Sequence, residues 1–146
     1  MAQSHPLVAA LGLEPHPEGG WYRQTWRSGL LVQPAGYPGP RAAGTAILFL
    51  LAAGETGRWH RVRSDELWLW QGLGPLRLRY GGSGESPDDA SAEHVVVGPD
   101  AAAGHVLQAL VPAGRWQSAD PLTAAGGLVG CVVVPGFEFA DFQLYA

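Results

Sequence analysis

The sequence predicts an all-β domain, a barrel or sandwich of short strands preceded by one short helix. Its apolar residues come in brief runs. Segments 45–52, 66–71, 76–80, 94–97, 105–111, 128–134 and 137–144 are rich in Val, Leu, Phe and Trp and are bounded by Gly or Pro, the pattern of strands. The 21 glycines and 12 prolines are spread along the chain, so turn signals recur as a sandwich or barrel needs. Only 6–13 reads as helix, with Leu7, Val8 and Leu11 on one side, His5-Pro6 before it and Gly12 near its end. Residues 21–27 alternate as a further strand: Trp21, Arg23 and Thr25 share one face, and Tyr22, Gln24 and Trp26 the other. Two segments read as loops, the Pro- and Gly-rich 33–41 and the polar 81–92. The first is expected to be a solvated connection, with a mobile cover over a site as the alternative. No repeat or linker divides the chain, so 1–146 is expected to be one domain.

Composition narrows the function. At 47% hydrophobic the chain can fill a core, and only 15% of its residues are charged. A net charge of −4 and a pI near 5.6 argue against nucleic acid as a partner. All nine cationic residues are Arg, the residue suited to carboxylate and phosphate. The single Cys131 sits in Leu-Val-Gly-Cys-Val-Val-Val and reads as a small buried hydrophobe. No targeting segment is visible, and the longest apolar run, 46–53, is far short of the ~20 residues that span a bilayer. No membrane association and a cytoplasmic location are the expectation.

The most informative stretch is Gly54-Glu-Thr-Gly-Arg-Trp-His60-Arg-Val62-Arg-Ser-Asp-Glu66-Leu-Trp68. A strand presents residues i and i+2 on one face, so His60 and position 62 should point the same way. A metal site would carry imidazoles at both, with Glu66 arriving from the next strand; here position 62 is Val. Glu66 is expected within reach of His60, as a carboxylate that raises the imidazole pKa and fixes its tautomer. With Trp68 and Trp70 nearby, the pair reads either as a general acid–base unit or as a satisfied buried polar pair. A second stretch, Leu13-Glu-Pro-His16-Pro-Glu18-Gly-Gly20-Trp21-Tyr22-Arg23-Gln-Thr25, joins a glycine turn to the alternating strand. Trp21, Arg23 and Thr25 together would make a wall for a small molecule; docking of this strand on a partner subunit is the equal alternative. His16 is expected only to shape the turn. The third stretch, Val111-Pro-Ala-Gly-Arg-Trp-Gln117, is a tight turn with Gln117 pointing inward, better suited to hydrogen-bond a polar ligand than to bind a metal.

Gly54-x5-His60-x-Val62-x3-Glu66 resembles the first cupin motif, and Pro112-x-Gly114-x2-Gln117 the second, with Gln in the usual His position. Pro15-His-Pro-Glu-Gly-Gly20 with Tyr22-Arg23-x-Thr25, Trp59-His60-Arg61, Ser64-Asp65-Glu66-x-Trp68, Val111-Pro-Ala-Gly-x-Trp-Gln117 and Pro135-Gly-Phe-Glu-Phe-x-Asp-Phe142 resemble one uncharacterised cupin family, similar in fold to RmlC-type dTDP-sugar epimerases. The resemblance implies a cupin jelly-roll barrel (double-stranded β-helix, RmlC-like) and a homodimer. It supplies no reaction. The first expectation is metal-independent epimerase- or isomerase-like chemistry with His60 as base assisted by Glu66. Arg23, Arg61 and Gln117 would hold a sugar, nucleotide-sugar, small carboxylate or phosphate, and Tyr22 or Tyr80 would be the acid. A binding module without turnover is the second. A metalloenzyme with the degenerate set His60, Glu66 and Gln117 is the third, so no cofactor is expected ahead of a divalent metal.

Overall fold

The computed structural model describes residues 4–90 and 92–146; Met1–Gln3 and Ser91, in the 81–92 loop, lie outside them. Helix α1 (Pro6–Leu11) comes first. The His5 side chain accepts the Leu7 N–H, Pro6 occupies the first turn, and Gly12 closes the end at φ 66°. It stops two residues before the expected Leu13 because Gly12 takes the left-handed cap.

Among the described residues thirteen strands follow. They are β1 (Glu14–Pro15), β2 (Trp21–Arg27), β3 (Leu31–Val32), β4 (Arg41–Ala42), β5 (Thr45–Leu51), β6 (Gly57–Val62) and β7 (Asp65–Leu73), then β8 (Leu76–Tyr80), β9 (Glu93–Val97), β10 (Gln108–Val111), β11 (Gln117–Pro121), β12 (Gly127–Val134) and β13 (Phe142–Leu144). One sheet runs β1-β2-β5-β12-β7-β10 and the other β13-β6-β11-β8-β9, with β3-β4 as a separate hairpin. All the strand pairs are antiparallel. This is the predicted all-β jelly-roll architecture. Among the described residues no helix is long and apolar enough to cross a membrane.

Between the sheets lies the core of Phe49, Leu51, Trp68, Leu76, Leu78, Val97, Val111, Val129 and Cys131. Strand alternation sends their chain neighbours outward. Leu110, Leu67, Val132, Ala46 and Trp26 are register partners in one row across four strand pairs on the outer face of the larger sheet. The ends of that row, Leu110 and Trp26, are half exposed.

Two predicted strands are shorter than their apolar runs. Residues 105–107 form only an isolated bridge, Val97 to Val106, before β10 begins. In 137–144, a 3-10 turn (Phe139–Asp141) precedes β13, and it carries Asp141 inward. There Arg41 Nε and Nη2 donate to Asp141 Oδ2 and Oδ1 at 2.7 and 2.8 Å, and Arg63 Nε donates to Oδ1 at 3.2 Å. The same cluster fixes the 33–41 loop: Tyr37 Oη lies 2.7 Å from Ser64 Oγ, and Arg63 Nη1 donates to the Gly36 carbonyl at 3.1 Å. The loop is therefore a docked connection, tied at three points to the β6–β7 turn and the C-terminal segment.

Candidate functional site

β6 and β11 lie side by side, with His60 paired to Gln117. Facing them from the larger sheet are Ile47 of β5, Glu66 of β7 and Val133 of β12. The segment between β1 and β2 then turns inward over this end of the barrel. Two glycines make that turn possible. Gly19 (φ 107°) and Gly20 (φ 73°) both take left-handed backbone, and a Cβ at Gly20 would lie 2.6 Å from the Leu50 carbonyl oxygen. A Cβ at Gly19 would collide with the Thr56 carbonyl oxygen. The turn is pinned to β6 by Arg58 N–H, which donates to the Glu18 carbonyl at 2.7 Å. Glu18 and His16 are thereby buried at the site, and Gly57, where a Cβ would come within 3.1 Å of Glu18 Oε2, leaves the room.

The result is a buried polar cluster. His60 Nδ1 donates to the Arg58 carbonyl at 2.7 Å, which leaves Nε2 as the unprotonated nitrogen. Its ring stacks on Phe142 at 5.4 Å. Glu18 Oε2 lies 3.2 Å from the same Nδ1, but that proton is already committed to Arg58. Glu18 Oε2 is left buried with no hydrogen-bond partner among the described residues. His16 Nδ1 accepts the Glu18 N–H at 3.1 Å, and its ring packs edge-on against Tyr22, Phe49 and Phe142. Opposite, a chain of donors runs from Trp68 Nε1 to Gln117 Oε1 at 3.2 Å and from Gln117 Nε2 to Glu66 Oε1 at 2.8 Å.

Burial sets the charge state. It lowers both imidazoles to about 4, with the neighbouring His60 adding to the effect on His16. It raises Glu18 well above its ordinary value, reinforced by Glu66. Glu66 is raised by burial too, against the hydrogen bonds from Gln117 and Cys131. Near neutral pH both imidazoles are thus uncharged, burial favours the protonated form of Glu18, and the His60–Glu18 contact is no ion pair because the imidazole carries no charge. The space between these groups is small, about 20 Å³ for the centre of a water molecule, room for one water.

Residues 5–145 match the family described as cupin superfamily (DUF985). The chain belongs to this family. Among solved structures, a hypothetical protein from Leishmania major is 32% identical, with a TM-score of 0.83 over 95% of this cupin and 85% of that chain. A protein from Shewanella oneidensis is 34% identical, with a TM-score of 0.84 over 100% of this cupin and 86% of that chain. An oxalate decarboxylase from Bacillus subtilis shares the fold at 16% identity and a TM-score of 0.60, over 89% of this cupin and 29% of that chain. No curated protein matches.

In this cupin His60 and Glu66 do line one cavity, but the carboxyl group against the imidazole is that of Glu18. Gln117 and Trp68 are buried and bonded to each other as part of the wall. The other four expected ligand residues lie elsewhere. Trp21 and Arg23 pair with Leu50 and Leu48, whereas Tyr22 pairs with the core residue Phe49, so Trp21 and Arg23 are on the outside of the sheet. Trp21 Nε1 donates to Glu55 at 3.1 Å. Thr25 sits in a bulge and donates to the Ala46 carbonyl at 3.3 Å. Arg61 points away from His60 to the outer face, 4.5 Å over the Trp116 ring and bonded to Gln143 and the Gly84 carbonyl. Of the two tyrosines, Tyr80 donates its hydroxyl to the Leu110 carbonyl, while Tyr22 faces inward beside His16. His60, Glu66 and Gln117 do not fit a metal as arranged: both ends of the Gln117 amide are engaged, and among the described residues no three His, Cys, Asp or Glu side chains are grouped to hold one. Reading residue spacing alone missed His16 and Glu18; their signal was the double glycine after them.

Proposed function

We propose that this cupin binds a small polar, sugar-like carbonyl compound in the barrel and moves a proton on it without a metal. The observation that carries the reading is Glu18 Oε2, a buried carboxyl oxygen without a partner beside an imidazole. A buried polar atom of this kind costs about 1–3 kcal/mol unless something bonds to it, and a ligand oxygen supplies the bond. The space beside Glu18 admits one oxygen atom as it stands and must widen to take a carbon chain; with a carbonyl oxygen in it accepting the Glu18 proton in a hydrogen bond, His60 Nε2 removes a proton from the adjacent carbon. The C–H bond breaks, an N–H bond forms, and the electron pair passes to the oxygen held by Glu18. His60 then returns the proton on the same face to the neighbouring carbon, while Glu18, having protonated the first oxygen, takes up the hydroxyl proton of the second; the result is isomerisation. Glu66, anchored by Gln117, fixes the opposite wall.

A second reading, binding without turnover, is favoured by the pKa of about 4 at His60, which makes the free imidazole a weak base. Deuterium entry from solvent into dihydroxyacetone and glyceraldehyde separates the two. Exchange above the uncatalysed rate, abolished in His60→Ala, supports catalysis; full exchange in His60→Ala rejects the base assignment. A shift of the His60 ring signals with no exchange means binding alone. We assign the expected homodimer to the apolar row from Leu110 to Trp26, since a continuous apolar strip on a sheet face marks an association surface. A monomer in light scattering would remove that assignment.

A further inference from the structure

The inner face of the larger sheet extends past the cavity to a second hollow at the barrel mouth. Tyr22, Gln24 and Ile47 form one side of it, and Phe137 and Phe139 the other, around about 260 Å³. Glu14 and the Arg27–Glu138 pair stand at its polar edge. Ile47 and Phe137 line both this bowl and the inner cavity. The His16 ring stands between the two, 4.7 Å from the Tyr22 ring and in contact with Glu18 through Nδ1.

The chemistry of the bowl is selective. Tyr22, Phe137 and Phe139 offer aromatic surface, and Phe139 is 48% exposed. Gln24 is exposed, with its amide bonded to no other described residue. Two carboxylates face one guanidinium, and that guanidinium is held by Glu138 at 2.6 Å. An anion entering would find repulsion and an occupied cation. An uncharged ring with hydroxyls at its edge finds aromatic faces for its C–H surface, and for its hydroxyls the Gln24 side chain and the remaining lone pairs of Glu14, which is bonded to Tyr22, and of Glu138, which is bonded to Arg27. The volume lies just below the ~300 Å³ at which ligand pockets usually begin, which suits one ring and no nucleotide.

We propose that the bowl holds the uncharged hydroxylated ring of a monosaccharide-sized ligand and that bowl and cavity are two halves of one site. The proposal rests on the cavity being a ligand site, which supplies the inner half. It selects neutral sugars over their phosphates and uronic acids.

NMR chemical-shift mapping of the full chain tests it, with glucose, galactose, xylose and myo-inositol beside glucose 6-phosphate and glucuronate. The expected result is that at least one neutral compound shifts the Gln24 amide and the Tyr22 and Phe139 rings, with each charged analogue at least tenfold weaker. Gln24→Ala and Phe139→Ala, both at exposed positions, should each weaken that binding by roughly tenfold, the scale of one lost aromatic or polar contact. Shifts at the bowl from charged members only, or from none of the six, overturn the proposal. The His60 ring nitrogens are read in the same spectra. Bowl shifts without any His60 response leave the bowl as a sugar site and reject the inner half. His60 shifts without bowl shifts keep the cavity reading and reject this one.

Discussion

Asp141 and Glu18 are buried to nearly the same depth, 7% and 6% exposed, yet the fold treats them in opposite ways. Asp141 receives three guanidinium hydrogen bonds from Arg41 and Arg63, and Arg41 holds its carboxyl below the usual carboxylate range. It is a charged strut that ties the 33–41 loop and the C-terminal segment to the barrel. Glu18 has no cation beside it. Burial favours its neutral form, and one of its oxygens has no partner among the described residues. A buried carboxyl group with satisfied partners stabilises; one with an unsatisfied oxygen needs its partner from water or a ligand.

The largest effect should come from the strut. Asp141→Asn leaves Arg41 buried without its counter-charge and should cost roughly 3–5 kcal/mol, read as a lowered urea midpoint. A loss below about 1 kcal/mol would place the Arg41–Asp141 pair among the weak surface bridges. Next comes the acid response of the neutral cluster. His60 has a folded pKa of about 4 against 6.5 unfolded, so the unfolded chain binds the extra proton as pH falls between these values. Its contribution is present above pH 6.5 and lost by about pH 4, on the order of 3 kcal/mol. Glu18, raised in the fold, has the opposite slope and loses stability as pH rises above its unfolded value of 4.5. Because Glu66 is raised by burial as well, the histidine effect should be read from the His60 ring signals by NMR; a titration midpoint near 6.5 would show that this imidazole titrates normally.

Gln117→Leu removes the link between the Trp68 N–H and Glu66, stranding both, and should cost about 1–3 kcal/mol. It should also push Glu66 further up, since the Gln117 bond holds it down. The smallest change is expected for Glu18→Gln itself. Near pH ~4 it should be within about 1 kcal/mol of the parent, because burial favours the neutral carboxyl there, and near pH ~8 it should be the more stable, because burial penalises the parent's ionised form. A destabilised Glu18→Gln under those alkaline conditions would mean that Glu18 is a paired anion like Asp141, and the comparison would fail.

The fold was legible because alternation and Gly/Pro punctuation repeat along most of the chain, and each short run of Val and Leu could only be buried one way. His60 and Glu66 were legible for a related reason: their spacing puts them on successive strands whose inward faces are fixed by apolar neighbours. The alternation of Trp21 and Arg23 with Tyr22 and Gln24 was legible, but the sequence left a ligand wall and an outward docking face as equal readings, and the structure puts Trp21 and Arg23 on the outside. In β2 both faces carry aromatic and polar residues, so hydrophobicity does not say which is inside, and a bulge at Thr25 breaks the alternation. Glu18 was hidden because its position depends on two glycines meeting the Leu50 and Thr56 carbonyls, far along the chain. Sequence reveals that such glycines bend the chain, but not what they bend it against. The strand ends at 105–107 and 137–141 were lost to local turns that an apolar run does not disclose.

Arg58 gives the site an unusual heredity. Its N–H holds the turn that carries Glu18, and its carbonyl holds His60 Nδ1, while its side chain is at an exposed position. The tautomer of the imidazole is thus written in main chain, which almost every amino acid spells alike. Mutation can wander freely at position 58 without touching the chemistry, and only proline, which lacks the N–H, erases it. What the arrangement hinges on is a peptide unit and not a side chain.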